Sequence, residues 1–573
     1  DPYAQQWRDA TVAACRATRV AGTQSDSLLD LRMRCLDRRL ADLRAGVGEV
    51  AAARDADRLE AALEIVLDLP PVDDCADEER VRREFDRPAT AQARATADAI
   101  EDRLQAIERD RRAERLNGLV ARAQAEVDAA RRLGHPGMLA SALATLARVE
   151  LLSSEGAGAV DTLRELTQVA ARARRDRDEA FAWTQLVEEI GDRGGKPEEG
   201  LALVPVANAA VLHAGDPVDE RVDLLRHESD VLVAGPRTAE AAAKLDEARK
   251  LLVQAGAEQP GSRFAQSLAD LVLDDGTLRV RIGDDDGAVK SLQEAAARYR
   301  ELLGPDSTSE AIALHQLGEA LRGAGKPAEA RAAFEQAARI NGLHPAAAGR
   351  LGSNLLSIAA AYGEEHRWDE ARAAYDRALP LVRADAHTGP NELAAALLGR
   401  AIVDRNAGHP DLARAGYDEA IAVFARAGAT GTNLPIARAN RGELSLTEGR
   451  FEEAAADDRQ AITEFEQMDS PTARRLAYPL LGLGHALVEL GRPAEAIAPL
   501  ERGLALDLAS RPVIRAQLQS YLARALIGAG RDRARAMQLA REGRAVLAGA
   551  AAHGDETAAE ALRGHDRWAA THR

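Results

Sequence analysis

Apolar side chains recur along this chain at helical spacing, in pairs of stripes separated by a short turn. Around Gly325, three apolar positions precede the glycine and three follow it, at intervals of three or four residues. The first set is Leu314, Leu317 and Leu321, and the second is Ala330, Phe334 and Ala337. Such intervals place side chains on one face of an α-helix. The pattern therefore predicts two helices joined at Gly325.

The turn at Gly325 is one of a regular series. Six-residue segments ending in alanine begin 41, 42, 41 and 42 residues apart, at Gly325, His366, Gly408, Gly449 and Gly491. Less regular copies lie on both sides of this series. A single helix pair cannot bury its stripes, but stacked pairs share one continuous core. The repeat therefore predicts an α-solenoid.

The composition agrees with an all-α class. Apolar residues make up 46% of the 573 residues, yet aromatic residues make up only 3%. Alanine supplies most of the apolar content, and it loses no side-chain entropy in a helix. No sustained run alternates β-branched and polar residues, so a large sheet is not expected.

The helix pair resembles the tetratricopeptide repeat. That family has a large–leucine–small–large pattern on its first helix and a small–aromatic–small pattern on its second, as Leu314 to Leu321 and Ala330 to Ala337 do here. The usual unit has 34 residues, and the longer unit here resembles the roughly 42-residue form of kinesin light chains. The resemblance implies a right-handed superhelix with a concave groove.

The periodic region predicts three segments. Residues 116–555 are expected to form about ten helix pairs, clearest over 264–550. Residues 1–115 lack the turn signature and predict a separate helical subdomain, in which Pro70, Pro71 and Pro88 end helices. Residues 556–573, which carry Trp568, predict a solitary helix that caps the last repeat.

Partner binding is expected on the concave groove, where the family commonly receives peptides. On each first helix, a second set of positions lies on another face at 3-4-3 spacing. The candidate groove residues are His315, Glu319, Arg322, Leu398, Ile402, Arg405, Glu443, Tyr478, His485 and Arg524. The alternative for each one is a solvated surface side chain.

The amino-terminal region carries a second, more specific signature. It contains Trp7, Ala14-Cys15, Gly22 to Ser25 and Leu28 to Leu36, and continues at Leu69 to Val72 and Cys75 to Asp77. This stretch resembles the segment that follows the kinase domain in large serine/threonine protein kinases of myxobacteria. The resemblance implies a kinase and a membrane-spanning helix upstream. The chain itself has no Gly-rich loop, His-Arg-Asp or Asp-Phe-Gly motif, so no catalysis is expected from it.

Together the two resemblances imply a non-catalytic sensor or regulatory region of a bacterial serine/threonine kinase. It would bind a protein or peptide in its groove, with a homodimer left open. Its expected location is the extracytoplasmic side of the inner membrane. The alternative is a cytoplasmic scaffold or transcription-regulator sensor that binds a small inducer or a partner protein.

The three cysteines allow two interpretations. Cys15 and Cys35 flank a turn near Gly22, so an antiparallel helix pair would bring them close enough for a disulfide. The alternative is that both are small buried apolar side chains. With a Cys15–Cys35 bridge, Cys75 would be unpaired or would pair with a cysteine upstream.

Charge and spacing exclude several other functions. The net charge of −17 argues against a nucleic-acid partner. No apolar run approaches the roughly 18–20 residues of a membrane helix, so direct membrane insertion is not expected. The histidines and cysteines lack metal-ligand spacing, and neither a metal nor a cofactor is predicted. Asp284, which precedes two further aspartates and a glycine, is expected to cap a helix, not to bind calcium.

Overall fold

The computed structural model describes residues 2–67, 69–84, 88–113, 115–152, 158–235, 237–259, 261–385, 388–428, 431–468 and 473–571. All regular secondary structure within these ranges is helical, with 27 α-helices and two short 3-10 turns at Asp73–Ala76 and Pro345–Ala347. The helices pack in tandem as an all-α repeat superhelix, which confirms the predicted fold class. The chain divides into two compact units, Asp1–Ala347 and Ala348–Arg573.

The first unit opens with five helices that precede the regular pairs. They are α1 Pro2–Arg19, α2 Asp26–Ala52, α3 Ala56–Leu67, α4 Glu78–Glu84 and α5 Ala91–Arg112. The Ser25 hydroxyl begins α2 by accepting a hydrogen bond from the Leu28 N–H at 3.2 Å. Trp7 of α1 donates from its indole nitrogen to the Leu36 carbonyl at 2.8 Å. The signature residues therefore build the core of this helical group.

The predicted Cys15–Cys35 bridge is wrong, because the disulfide joins Cys35 to Cys75. Ala14 is the residue of α1 that is buried, and Cys15, one position further round the helix, is exposed with a free thiol. Arg32 of α2 donates to the Cys75 carbonyl at 3.1 Å, which holds the 3-10 turn against α2. The Cα atoms of Cys35 and Cys75 are consequently 5.6 Å apart.

The first unit continues with eleven repeat helices. They are α6 Leu119–Leu133, α7 Pro136–Leu152, α8 Ala159–Ala173, α9 Asp176–Gly191, α10 Pro197–His213, α11 Val218–Ala234, α12 Thr238–Gln254, α13 Ala265–Ile282, α14 Asp285–Leu303, α15 Thr308–Gly323 and α16 Pro327–Asn341. Ile100 and Leu104 of α5 lie in the same hydrophobic core as α6 to α9. The Asp284 side chain accepts from the Gly287 N–H at 3.1 Å, which confirms its predicted role as a helix cap.

The second unit contains five helix pairs and a last single helix. They are α17 Ala348–Glu364, α18 Trp368–Ala384, α19 Pro390–Asn406, α20 Pro410–Arg426, α21 Asn433–Thr447, α22 Phe451–Glu466, α23 Ala473–Glu489, α24 Pro493–Leu504, α25 Pro512–Gly528, α26 Arg533–Ala552 and α27 Glu556–Thr571. The buried His565 of α27 faces the Ser520 hydroxyl of α25 at 3.1 Å.

The predicted turn at Gly325 has a defined backbone. Gly325 adopts a φ of 72°, a left-handed conformation that favours glycine. The Lys326 N–H donates to the Leu321 carbonyl at 2.9 Å and so closes the end of α15. One turn earlier in α15, Gly318 lies directly against the ring of Phe334 in α16. The glycine at that position lets the two helices approach closely enough to bury the aromatic ring.

Among the helices that the structure describes, none combines the length and apolar character needed to cross a membrane.

Candidate partner-binding surfaces

The predicted groove residues of the first unit lie together on α15. His315 and Glu319 are half-buried and Arg322 is exposed. The His315 ring packs against Phe334 with 5.3 Å between ring centroids, and Arg322 forms an ion pair with Glu319 at 2.5 Å. These three side chains therefore form one polar patch on a first helix.

Four predicted groove residues lie on α19 and α21 of the second unit, and one of them is misplaced. Leu398 is only 6% exposed and packs in the core with Tyr417. Because it is buried in this core, Leu398 is not available to a ligand. Ile402 is half-buried. Arg405 forms an ion pair with Glu443 of the next first helix, which links the two neighbouring repeats.

Two of the remaining predicted residues, His485 and Arg524, belong to an aromatic cluster near the end of the chain, whereas Tyr478 contacts Arg511. The His485 ring stacks on Tyr521 at 4.3 Å, and the Arg524 guanidinium lies 4.8 Å from the Tyr521 centroid and 5.9 Å from that of Trp568. Tyr478 is 52% exposed. Burial and the charge of Arg524 lower the pKa of His485 to about 4, so this ring is neutral at pH 7.

A pocket of about 180 Å³ lies where the first helices of three successive repeats meet in the first unit. Its lining comes mainly from α11, α13 and α15, and its polar members include one cation, Arg281, beside Ser229, Asp230, Asp274, Thr277 and Gln316. Asp274 and Gln316 are 42 residues apart, which is one repeat. The pocket therefore reaches α15, the helix that also carries the candidate residue His315, and extends from there toward α13 and α11.

Carboxyl groups dominate the surroundings of this pocket. The electrostatically coupled carboxyls are Glu188, Glu189, Asp219, Glu220, Asp223, Asp230, Asp270 and Asp274, and the basic groups among them are Arg148, Arg177, Arg193, Arg226 and His227. Arg226 donates to the Asp274 carboxylate at 2.7 Å. The Tyr299 hydroxyl donates to the Asp270 carboxylate at 2.6 Å. The surface, which we call the acidic face, carries more carboxyl groups than cations.

A charged pair anchors one side of the acidic face. The His227 Nε2 and Glu188 Oε2 atoms are 2.9 Å apart, and the His227 Nδ1 atom lies 3.2 Å from the Thr184 carbonyl oxygen. Burial opposes ionisation of Glu188, but the hydrogen bond and charge of His227 outweigh it and lower the pKa of Glu188 to about 2. Burial also opposes charge on His227, yet Glu188 raises the pKa of this imidazole. The contact therefore favours the imidazolium form of His227 and the carboxylate form of Glu188.

The other carboxyls repel one another. Burial, followed by the charges of Asp223 and Asp219, raises the pKa of Glu220 to about 8. Burial and the charge of Asp274 raise the pKa of Asp230 to about 6. A positive group bound between these side chains would relieve the repulsion and favour their ionised forms. The acidic face is therefore suited to a cationic ligand group.

The described residues include no set of three histidine, cysteine, aspartate or glutamate side chains arranged to hold a metal ion. The acidic face was missed at the sequence level because its repeats are irregular. The helices α11 and α13 begin 47 residues apart, at Val218 and Ala265, instead of 41 or 42. One sequence signal could have located this face. Asp270 and Asp274 precede Ile312 and Gln316 by one 42-residue repeat, which places these four residues at equivalent positions on successive first helices.

Comparison with known proteins places the repeats in context. A tetratricopeptide-repeat family model matches residues 276–341. The crystal structure of BtubC (BKLC) from P. vanneervenii is similar over 40% of this chain and 92% of its own, with 21% identity and a TM-score of 0.35. The hetero-tetramer Cut9–Hcn1 of the APC/C covers 97% of this chain and 98% of its own, with 14% identity and a TM-score of 0.40.

A tetratricopeptide repeat protein from Parabacteroides merdae covers 54% of this chain and 99% of its own, with 18% identity and a TM-score of 0.34. No curated protein matches the chain. Tetratricopeptide repeats generally mediate protein–protein interaction or scaffolding. The chain is therefore an all-helical solenoid that contains a tetratricopeptide-repeat region.

Proposed function

We propose that this chain is a non-catalytic, partner-binding solenoid whose acidic face receives a basic segment of a protein. The observation that carries the proposal is the pocket between α11, α13 and α15, which lies among carboxyl groups with raised pKa values. Concave faces of stacked repeats are extended binding surfaces. A bound lysine or arginine side chain would add a positive charge beside Asp230, whose pKa burial and Asp274 raise although Arg226 and His227 lie near it.

The electrostatic argument explains why a basic segment is favoured over a neutral one. Asp223, Asp230 and Asp270 each have a pKa raised by burial, so their ionised forms are stabilised poorly in the free protein. Ion pairing with a bound cation would supply that stabilisation. Complementary charge also accelerates encounter and selects among partners. The affinity of such a complex would decrease as salt concentration rises.

The test uses short oligoarginine and oligolysine peptides, with oligoglutamate as the negative probe. We expect the cationic peptides to bind the full chain. The double variant Asp223→Asn/Asp230→Asn should weaken binding by about tenfold, the effect of roughly one pKa unit in interaction free energy. Asp246→Asn/Glu247→Gln, which changes two exposed carboxyls on α12, is the matched control. Equal affinity of the wild type and the Asp223/Asp230 variant for oligoarginine would contradict the proposal.

We further propose that the chain is the sensor or regulatory region of a bacterial serine/threonine kinase on the extracytoplasmic side of the membrane. The support is the amino-terminal signature, whose Trp7 and Leu36 lie in the core of the first helices. The Cys35–Cys75 disulfide adds support, because disulfides persist in oxidising compartments.

Two measurements test this second proposal. The reading frame upstream of Asp1 should encode kinase motifs followed by an apolar segment. In the full-length protein, deletion of the helices α6 to α27 should change kinase autophosphorylation. A reading frame without kinase motifs would refute the assignment.

The pocket volume favours one alternative, a cytoplasmic scaffold or transcription-regulator sensor that binds a small inducer. About 180 Å³ accommodates one side chain or a small amine. In that case a small diamine would bind as tightly as oligoarginine. Cys35 and Cys75 would also be recovered as free thiols from cells.

A further inference from the structure

The helix α3 of the amino-terminal group docks on the start of α15, although 248 residues separate the contacting groups. The buried Glu60 carboxylate accepts from the Thr308 N–H at 2.8 Å, the Thr308 hydroxyl at 2.9 Å and the Ser309 N–H at 3.3 Å. A negative charge at this end of a helix satisfies unpaired N–H groups and complements the helix dipole. Glu60 therefore caps α15 from a distant part of the chain.

His344 lies beside this cap and is only 2% exposed. Its Nδ1 atom is 2.6 Å from the Asp57 carboxylate of α3, and its Nε2 atom is 2.8 Å from the carbonyl oxygen of Asp306. The Asp57 carboxylate also accepts from the Ala346 N–H at 3.2 Å. His344, which follows α16, thus contacts both α3, through Asp57, and the segment before α15, through Asp306.

The hydrogen bonds of His344 require an additional proton. An ionised carboxylate and a carbonyl oxygen are both acceptors, whereas a neutral imidazole has only one N–H. Both contacts are satisfied only when the ring is an imidazolium, or when the same proton resides on Asp57. Loss of the proton leaves one buried contact between two acceptors, which is unfavourable.

The charges around His344 are predominantly negative. Asp57 and Glu60 face it from α3, with Glu60 3.8 Å from Nδ1. From the segment before α15, the Asp306 side chain is also near, but it forms its own ion pair with Arg339 of α16 at 2.6 Å. Arg300 of α14 also acts on Asp306 and forms an ion pair with the buried Glu310 of α15. Deprotonated His344 would leave Asp57 without its buried counter-charge.

We propose that His344 is a proton-operated latch between α3 and the edge of the first unit. With the proton bound, His344 and Glu60 hold α3 on the start of α15. Without it, α3 separates and the amides of Thr308 and Ser309 lose their cap.

The rest of the amino-terminal group has contacts that do not depend on His344. Arg83 of α4 pairs with Asp176 of α9 at 2.5 Å, and Arg115 pairs with Glu49 of α2 at 2.8 Å. The Cys35–Cys75 disulfide closes a loop that contains α3. The release of α3 is therefore local, because both of its ends remain tethered.

Hydrogen–deuterium exchange of the full chain tests the latch. Exchange is followed in peptides from α3 and from residues 304–312, with correction for the intrinsic pH dependence of amide exchange. Protection of both segments against exchange should be about tenfold lower at about pH 8.5 than at about pH 5.5. A tenfold change corresponds to about one pKa unit of interaction free energy. Peptides from α13 serve as the internal reference.

Two variants make the result specific. His344→Gln should give low protection of both segments at both pH values, and His213→Gln, which changes an exposed histidine of α10, should respond as the wild type does. If His344→Gln fails to fold, Asp57→Asn keeps the histidine and should abolish the same pH response. Protection of α3 that is equal at both pH values in the wild type would overturn the proposal. So would a pH response retained in Asp57→Asn or in folded His344→Gln.

Discussion

Asp458 occupies the same position in its repeat as Tyr417 does 41 residues earlier, and both side chains are buried. The aromatic residue at this position fills the space between the helices of a pair, as Phe334 does against Gly318. Asp458 instead lies between Gly442 and Gly482. One of its carboxyl oxygens has no hydrogen-bond partner within the part of the chain that the structure describes. This repeat therefore buries a carboxyl group where the preceding repeats bury an aromatic ring.

The first prediction concerns the pH dependence that this carboxyl imposes. Burial, and then the charge of Asp457, raise the pKa of Asp458 well above its usual value. The unfolded chain releases this proton near pH 4, so the free energy of unfolding falls as pH rises from there to the folded pKa. Asp458→Asn should stabilise the second unit by about 1–3 kcal/mol at pH 7 and have no such effect near pH 4.

Scanning calorimetry at the two pH values measures this effect on the unfolding transition of the second unit. Asp411→Asn, which changes an exposed carboxyl on α20, is the control and should show little dependence on pH. An Asp458→Asn variant that is less stable than the wild type at pH 7 would show that the carboxyl has a partner in solution.

The second prediction uses two glycines of the first unit. A methyl group at Gly318 would overlap the Phe334 ring, whereas one at Gly48 of α2 would meet no atom within 4 Å. Gly318→Ala should therefore destabilise the first unit by about 1–3 kcal/mol. Gly48→Ala should stabilise it by up to about 1 kcal/mol, because alanine is the better helix former. Urea unfolding of both variants checks the two signs, and a neutral Gly318→Ala would mean that α15 and α16 are less closely packed.

The third prediction separates the observed disulfide from the one expected from the sequence. The Cys35–Cys75 bridge closes a 40-residue loop, and its loss should cost the amino-terminal helices about 2–4 kcal/mol. Cys35→Ser and Cys75→Ser should lower the unfolding midpoint of these helices equally, while Cys15→Ser should have no effect. Peptide mapping without reductant identifies the bridged pair directly, and a Cys15–Cys35 peptide would contradict this structure.

The sequence predicted the features that depend on local, repeated chemistry. The turn at Gly325 needs a left-handed residue and the cap at Asp284 needs a short acceptor, and both are confirmed. Leu398 was assigned to the groove incorrectly because the stripe of α19 is broad, and Leu397 beside it is also buried. One position along a helix changes the direction of a side chain by about 100°.

Long-range contacts were not predictable in the same way. Three cysteines do not specify their pairing, and the contact of Glu60 with Thr308 joins segments whose spacing carries no periodic signal. The acidic face also depends on which helices become neighbours. Its key residues, Arg226 and Asp274, lie on different first helices and meet only after the repeats have stacked.

The fourth prediction tests the ion pair of His227 and Glu188 on the acidic face. Both side chains are about 15% exposed, and Glu188→Gln should destabilise the first unit by about 1.5–3 kcal/mol, as for hydrogen bonds to charged groups. Because the folded pKa of His227 is raised, the contribution of the pair is full below about pH 6.5 and is lost as pH rises through that pKa. Because the folded pKa of Glu188 is lowered to about 2, the contribution is present above about pH 4.5 and is lost toward pH 2.

The difference in stability between the wild type and Glu188→Gln should therefore be largest between about pH 4.5 and about pH 6.5. Urea unfolding of the first unit across this range and at about pH 9 measures it. Glu198→Gln, which changes an exposed carboxyl in the first turn of α10, should cost only a few tenths of a kcal/mol at every pH. A Glu188→Gln difference at about pH 5.5 that is no larger than that of Glu198→Gln would mean that the pair of His227 and Glu188 does not form in solution. One charge that anchors the acidic face would then be absent, and cationic peptides should bind wild type and Glu188→Gln with different affinities at this pH only through the lost carboxylate.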